Sequence, residues 1–158
     1  MENSTQLIIG FNASDAKRIE THLIKLLPYI DTNEMVLVGG LAIRYLLSRA
    51  RFKYPIRPFN DLDLMVKTAN ALTTEIQKDF LVYHYHPPKN NSFYIALVDP
   101  ISKKKVYIFD WNPPLEDFIT VDFNGYKLKM RSAEDQLVKT LFDLYRISPS
   151  NRVDPKQF

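Results

Sequence analysis

The chain has 158 residues, of which 46% are hydrophobic, 25% charged and 13% aromatic, the profile of one folded domain rather than a disordered or fibrous chain. It contains no cysteine, which removes disulfides, thiolate metal sites and cysteine nucleophiles. Its net charge of +3 is compatible with a phosphate-bearing partner but too mild to identify one.

The N-terminal stretch "MENSTQLIIGFNASDAKR" lacks a basic region followed by a long apolar core, so it does not read as a signal peptide. No apolar run approaches the roughly 20 residues needed to span a bilayer. The expectation is a soluble, cytoplasmic protein with no membrane partner. Asn-x-Ser/Thr triplets at Asn3, Asn12 and Asn90 then read as chance.

In chain order, residues 14–30 read as a helix with Ser14 as N-cap. Ala16, Ile19, Leu23, Leu26, Leu27 and Ile30 recur at helical spacing, and Pro28 disturbs the last turn. Met35 to Val38 reads as a short buried strand ended by Gly39-Gly40. A second helix follows from Leu41 to about Arg51, apolar at Leu41, Leu46, Leu47 and Ala50. The loop "FKYPIRPFN" leads into a strand from Leu62 to Val66.

Residues 71–78 read as a short helix, and "FLVYHYH" as a strand stopped by Pro87-Pro88. "SFYIALVD" and "KKVYIFDW" are strands joined by the turn "PISKK". "FITVDF" and "YKLKM" flank Asn124-Gly125, a strong hairpin signal. Ser132 opens a last helix through Arg146, with Asp135 as its capping-box partner. This order predicts one α/β (α+β) domain over 1–158, a mixed central sheet flanked by helices. The N-terminal helix falls in 1–34, the sheet core in 35–130, and the C-terminal helix and tail in 131–158.

Two aspartates stand at the head of an apolar strand, in "NDLDLMV". On a strand, residues two apart share a face roughly 6 to 7 Å from each other, so Asp61 and Asp63 project together while Leu62 and Leu64 pack behind them. Adjacent carboxylates repel and are costly to desolvate unless a positive charge lies between them. A hard divalent cation such as Mg²⁺, or Mn²⁺ in its place, satisfies that demand and keeps positions open for phosphate. Asp110 closes an apolar strand in "KKVYIFDW" and is the expected third ligand. Asp122 competes with it, but the adjoining Asn124-Gly125 places Asp122 at an exposed hairpin end.

Gly39-Gly40 supplies the expected phosphate contact. A glycine pair between strand and helix lets phosphate approach the backbone, and the helix N-terminus offers free N–H groups. No Gly-Lys-Ser/Thr follows, so this is not a Walker loop. No further glycine occurs over Leu41 to Tyr45, so it is not a dinucleotide fingerprint either.

A strand, Gly-Gly, a helix, Asp-x-Asp on the next strand and a later strand aspartate resemble the nucleotidyltransferase superfamily that includes DNA polymerase beta. More narrowly, "GGLAIRYLL" followed by "RPFNDLDL" resembles the AbiEii-type nucleotidyltransferase toxins of toxin–antitoxin and phage-abortive systems. That family has an Arg four residues before the first aspartate, as Arg57 stands here. Its C-terminal helix with Lys, then Arg, then a Lys/Arg–Asp element is matched by Lys139, Arg146, Arg152 and Asp154.

The resemblance spans about residues 35–155. Gly40 stands where the family often has serine, and Phe59 where it commonly has Thr or Ser. Family members usually continue with more helical sequence, so the chain reads as shortened at its C-terminal end.

The resemblance implies the nucleotidyltransferase fold and transfer of a nucleoside monophosphate from an NTP such as ATP. The acceptor it implies is RNA, including a tRNA 3′ end, or a protein, and it implies a cognate antitoxin. Mg²⁺ on Asp61, Asp63 and Asp110 would bridge the triphosphate, and Gly39 and Gly40 amides would hold the outer phosphates. Lys139 and Arg146, at i and i+7 on one helix face, would neutralise it, with Lys139 in the catalytic set. Arg44, Arg57 and Asp154 complete the nucleotide-binding residues. The rival readings are a small-molecule, antibiotic-type nucleotidyltransferase and an inactive binding module on the same fold.

The other residues carry less. His84 and His86 share a strand face but have no third ligand in view, and His22 reads as a surface residue. Arg44, Arg49, Arg51, Lys53 and Arg57 form a basic cluster suited to phosphate or to plain solvation. Trp111 reads as core.

Overall fold

The computed structural model describes residues 11–50, 58–89, 92–110 and 118–138. Its first helix, α1, spans Ala13–Leu26 and is capped by Asn12, whose side chain accepts from the Asp15 amide. The cap is therefore Asn12 and not Ser14, because the Asn12 side-chain Oδ1 takes an orphan amide of the first turn at 2.8 Å. α1 ends before Pro28, in a 3₁₀ turn over Leu27–Tyr29. Proline cannot donate within a helix interior, which explains the early stop.

Strand β1 is Met35–Val38 and α2 is Gly39–Arg49. α2 buries Leu41, Ala42 and Tyr45, while Leu46 and Leu47 are only half-buried and Ala50 is exposed. Its contact face is thus rotated from the expected one. β2 is Asp61–Val66. The short helix expected over 71–78 is instead two 3₁₀ turns, Ala69–Ala71 and Thr74–Lys78.

β3 is Leu81–Lys89, β4 Ser92–Val98 and β5 Lys105–Asp110. β3 runs through Pro87-Pro88 rather than stopping there, at the cost of register shifts between Val82 and His84 and between His86 and Lys89. An edge strand tolerates proline because half of its amides have no ladder partner to lose. β6, Phe118–Phe123, and β7, Tyr126–Arg131, form the expected hairpin. Its turn residues Asn124 and Gly125 both have positive φ, 46° and 84°, as a two-residue hairpin turn demands. A last helix, α3, opens after Ser132 and is described over 133–138. The Ser132 hydroxyl accepts from the Asp135 amide at 3.2 Å.

The described strands form a seven-stranded mixed sheet in the order β3-β4-β5-β2-β1-β7-β6. β1 pairs with β7 and β2 with β5 in parallel, and the other neighbours are antiparallel. One sheet face packs on Ile19, Leu23 and Leu26 of α1 and Leu41, Ala42 and Tyr45 of α2, and these form one core cluster with Leu37, Leu62, Leu64, Val106, Ile108 and Met130. The other face carries a second, smaller apolar cluster of Val36, Val38 and Met65 against Phe118. The chain is therefore of mixed α/β class. Among the described residues no helix is long and apolar enough to cross a membrane.

Candidate functional site

The end of β1 and the start of β2 meet because the two strands are antiparallel, with Val38 opposite Asp63. Gly39 takes φ +65°, and a Cβ placed on it would lie 2.7 Å from Asp63 Cγ. Two constraints therefore fix this glycine: a left-handed backbone that other residues adopt only with strain, and a carboxylate packed on its α-carbon. Gly40 is under neither constraint, since nothing lies within 4 Å of an added Cβ. Val38, the N-cap of α2, has no side-chain cap to offer the first amides of the helix.

Asp63 is half-buried and Asp61 exposed, and Leu62 and Leu64 between and beyond them are buried. The alternation read from the sequence thus places both carboxylates on the face away from α1 and α2, with Asp63 against Gly39. This pair and the glycine turn are the predicted site residues that the fold brings together.

Asp110 is not brought to them. In the parallel β2–β5 ladder Asp61 faces Lys105, Asp63 faces Tyr107, and Asp110 faces Val66. Asp110 is thus about 10 Å further along the strand at 3.3 Å per residue. It also points to the opposite, helix-packed face, because in-register neighbours share a face. Its own alternation with Val106 and Ile108 was legible in the sequence; its register against β2 was not. Asp122 pairs with Lys127 at 2.6 Å, at the hairpin end where it was expected. Among the described residues no group of three or more His, Asp or Glu is placed to hold a metal ion.

Of the three expected ligands, Asp61 and Asp63 alone share a face, and they are the residues that would hold a magnesium ion. This cation commonly takes one or two carboxylates and completes its octahedron with water and phosphate oxygens.

Arg44 was expected at phosphate, but its Nη1 lies 3.2 Å from Asp15 Oδ2, with the arginine side chain 14% exposed. Asp15 is buried on α1 and also accepts from the Phe59 amide at 3.1 Å. This acid therefore ties together α1, α2 and the segment entering β2. The guanidinium also lies over the Phe11 ring. Arg57, Lys139, Arg146 and Asp154 lie outside the described residues, as do Arg51, Lys53, Trp111 and Arg152.

A second polar cluster went unread in the sequence. His22 is buried, not on the surface. Its Nδ1 faces the Arg18 carbonyl oxygen at 2.9 Å and its Nε2 the Ser102 hydroxyl at 3.1 Å. Ser102 donates to Asp99 at 2.9 Å. These are the residue types of a serine-hydrolase triad, but the connectivity differs. A triad acid grips the imidazole nitrogen remote from the serine; here that nitrogen is taken by a backbone carbonyl.

Burial pushes the Asp99 carboxyl up, but the Ile101 amide, the Lys25 ammonium and the Ser102 hydroxyl outweigh it and hold its pKa at about 2. Lys25 Nζ reaches Asp99 at 2.9 Å. The cluster pins α1 to the β4–β5 hairpin. Its only sequence signal was polar residues interrupting an apolar helix stripe.

Beside the aspartates, β4 and β5 present rings on the same face. Tyr94 is paired with Phe109 and Ala96 with Tyr107, which sets Tyr94 beside Tyr107. Burial pushes the Tyr94 hydroxyl pKa up; the Tyr107 and Asp63 charges push the same way and Lys105 opposes them.

No family model matches the chain, and neither the curated proteins nor the solved structures include a significant match to it.

Proposed function

We propose that the chain is a metal-dependent nucleotidyltransferase that moves a nucleoside monophosphate from an NTP to an acceptor. The observation that carries this reading is the apposition of Gly39 and Asp63, with Asp61 on the same face and the uncapped start of α2 beside them. In this reading Gly39 and Gly40 let the outer phosphates approach the backbone, where the α2 amides and the positive end of its dipole receive them. Asp61 and Asp63 would hold Mg²⁺, which would supply charge neutralisation on the triphosphate.

An acceptor oxygen then bonds to the α-phosphorus while the bond from that phosphorus to the bridging oxygen breaks. Pyrophosphate leaves, and one carboxylate of the pair takes the acceptor proton. From the resemblance, the acceptor is RNA or a protein and the context is a toxin with a cognate antitoxin.

The second reading is a binding module that keeps this arrangement without catalysis. It is favoured by Lys105 and Tyr107 standing opposite the aspartate pair and by Asp110 lying on the other face. Calorimetric titration of each NTP with Mg²⁺ separates the two readings. Wild type binds at least one NTP only with the metal, and the Asp61→Ala/Asp63→Ala double variant loses that binding. A folded wild type that binds no NTP would overturn the enzyme reading and leave the module.

A further inference from the structure

Between α1 and the turn from β4 to β5, His22 does more than hold the two together. Its Nδ1 lies against the Arg18 carbonyl oxygen at 2.9 Å. A carbonyl only accepts, so Nδ1 carries a proton, and in the neutral ring Nε2 keeps its lone pair. That nitrogen is 3.1 Å from the Ser102 hydroxyl oxygen, the reach at which an imidazole takes a serine proton. The Arg18 carbonyl therefore fixes tautomer and ring orientation, the part that the acid plays in a triad. The Lys104 amide donates to the same hydroxyl oxygen at 3.3 Å and steadies it.

The negative charge of a triad comes here from the other side. Asp99 Oδ2 lies 3.8 Å from His22 Nε2 and accepts from Ser102 at 2.9 Å. Ser102 has one hydroxyl proton, and rotation about its Cβ–Oγ bond turns that proton from the carboxylate to the imidazole. Once on Nε2, the proton makes an imidazolium that faces a carboxylate, itself held by Lys25 at 2.9 Å.

His22 is 2% exposed whereas Ser102 is exposed, so the base is dry and the hydroxyl is open to substrate. An open cleft of about 310 Å³ adjoins the pair, walled by Ser14, Lys17, Arg18 and Thr21 as well. That volume is at the low end for a ligand site and suits a small molecule. Lys17 and Arg18 are the cations on its walls, available to the charge of a tetrahedral intermediate.

We propose that Ser102 and His22 form a serine–histidine dyad that hydrolyses small, activated carboxylic esters, with Asp99 as a positioning residue. Ser102 Oγ bonds to the carbonyl carbon while its proton passes to His22 Nε2. The bond from that carbon to the leaving oxygen breaks, and Nε2 gives the proton to the departing alcohol. Water then attacks the acyl-serine by the same route, releasing the acid and restoring the hydroxyl. These steps use neither the aspartate pair nor a nucleotide, so the dyad stands apart from the transfer reaction.

Two probes test it on the full chain: a fluorophosphonate, which marks an activated serine covalently, and p-nitrophenyl acetate, whose hydrolysis releases a coloured phenol. Wild type takes up one phosphonyl group, peptide mass spectrometry places it on Ser102, and the ester is turned over. Ser102→Ala loses both reactions. His22→Gln, which keeps a polar side chain in the buried position, slows both roughly hundredfold. Circular dichroism checks that each variant is folded, and the wild-type adduct decides the assignment even where His22→Gln does not fold.

The inference is overturned if folded wild type takes up no phosphonyl group, or if the adduct lies on another residue. It is equally overturned if Ser102→Ala hydrolyses the ester as fast as wild type. A folded His22→Gln protein that labels at the wild-type rate would reduce Ser102 to a surface hydroxyl of the turn and overturn the dyad.

Discussion

Gly39 and Gly40 are chemically identical neighbours with opposite tolerance. At Gly39 a methyl group meets the Asp63 carboxylate and the backbone is left-handed. Gly39→Ala should destabilise the fold by about 2 kcal/mol or more, combining αL strain with the displacement of Asp63. Gly40→Ala meets open space and should fall within about 1 kcal/mol of wild type, on the stabilising side, since glycine is a poor helix former. Urea unfolding of the two variants measures the contrast, and equal effects would contradict the described geometry. The glycine pair and the aspartate pair were both visible in the sequence as separate motifs. Which glycine the carboxylate rests on was not, because that depends on the antiparallel register of β1 and β2.

At the scale of elements, the strands were read with small errors and the polar contacts that place the helices were missed. Alternating apolar residues identify β2, β4, β5 and the Asn124-Gly125 hairpin, because period-two burial is a local property. The start of α1 is decided by which of several capping residues reaches an amide, and Asn12 and Ser14 are equally plausible by type. Asn12→Ala should cost about 1 kcal/mol and Ser14→Ala almost nothing, measured by thermal or urea unfolding. Asn12 also donates to Asp15 at 3.0 Å, so its loss loosens the acid that holds Arg44 and Phe59. Pro87-Pro88 misled the reading for a different reason. Proline excludes a central strand, and nothing local shows that β3 lies on the sheet edge.

For the molecule as a whole, the attachment of α1 to the sheet has an electrostatic part. Asp99 has its folded-state pKa lowered to about 2, below the usual carboxylate value, so it contributes stability that is complete above about pH 4. That contribution, about 2 kcal/mol from the size of the shift, is lost as pH falls through about 2. Urea unfolding between pH 5 and pH 2 should show a falling limb that Asp99→Asn flattens, the variant being less stable at neutral pH. An unchanged limb would assign acid sensitivity elsewhere. The bond from Lys25 to Asp99 joins residues far apart in sequence, which is why no local pattern announced it. Asp110 is the counterpart of that lesson, a carboxylate that looked right locally and whose face was set by pairing with β2.

The order of strands has a consequence for how the chain is made. β1 sits in the interior of the sheet, but its second neighbour, β7, is the last strand described. During synthesis the apolar segment Met35–Val38 can pair with β2 early, yet its other edge stays open until Tyr126–Arg131 has left the ribosome. Non-local pairing of this kind slows folding and leaves an unpaired hydrophobic edge available to neighbouring nascent chains. Expression yield should therefore respond to chaperone supply and growth temperature, even where the finished protein is stable.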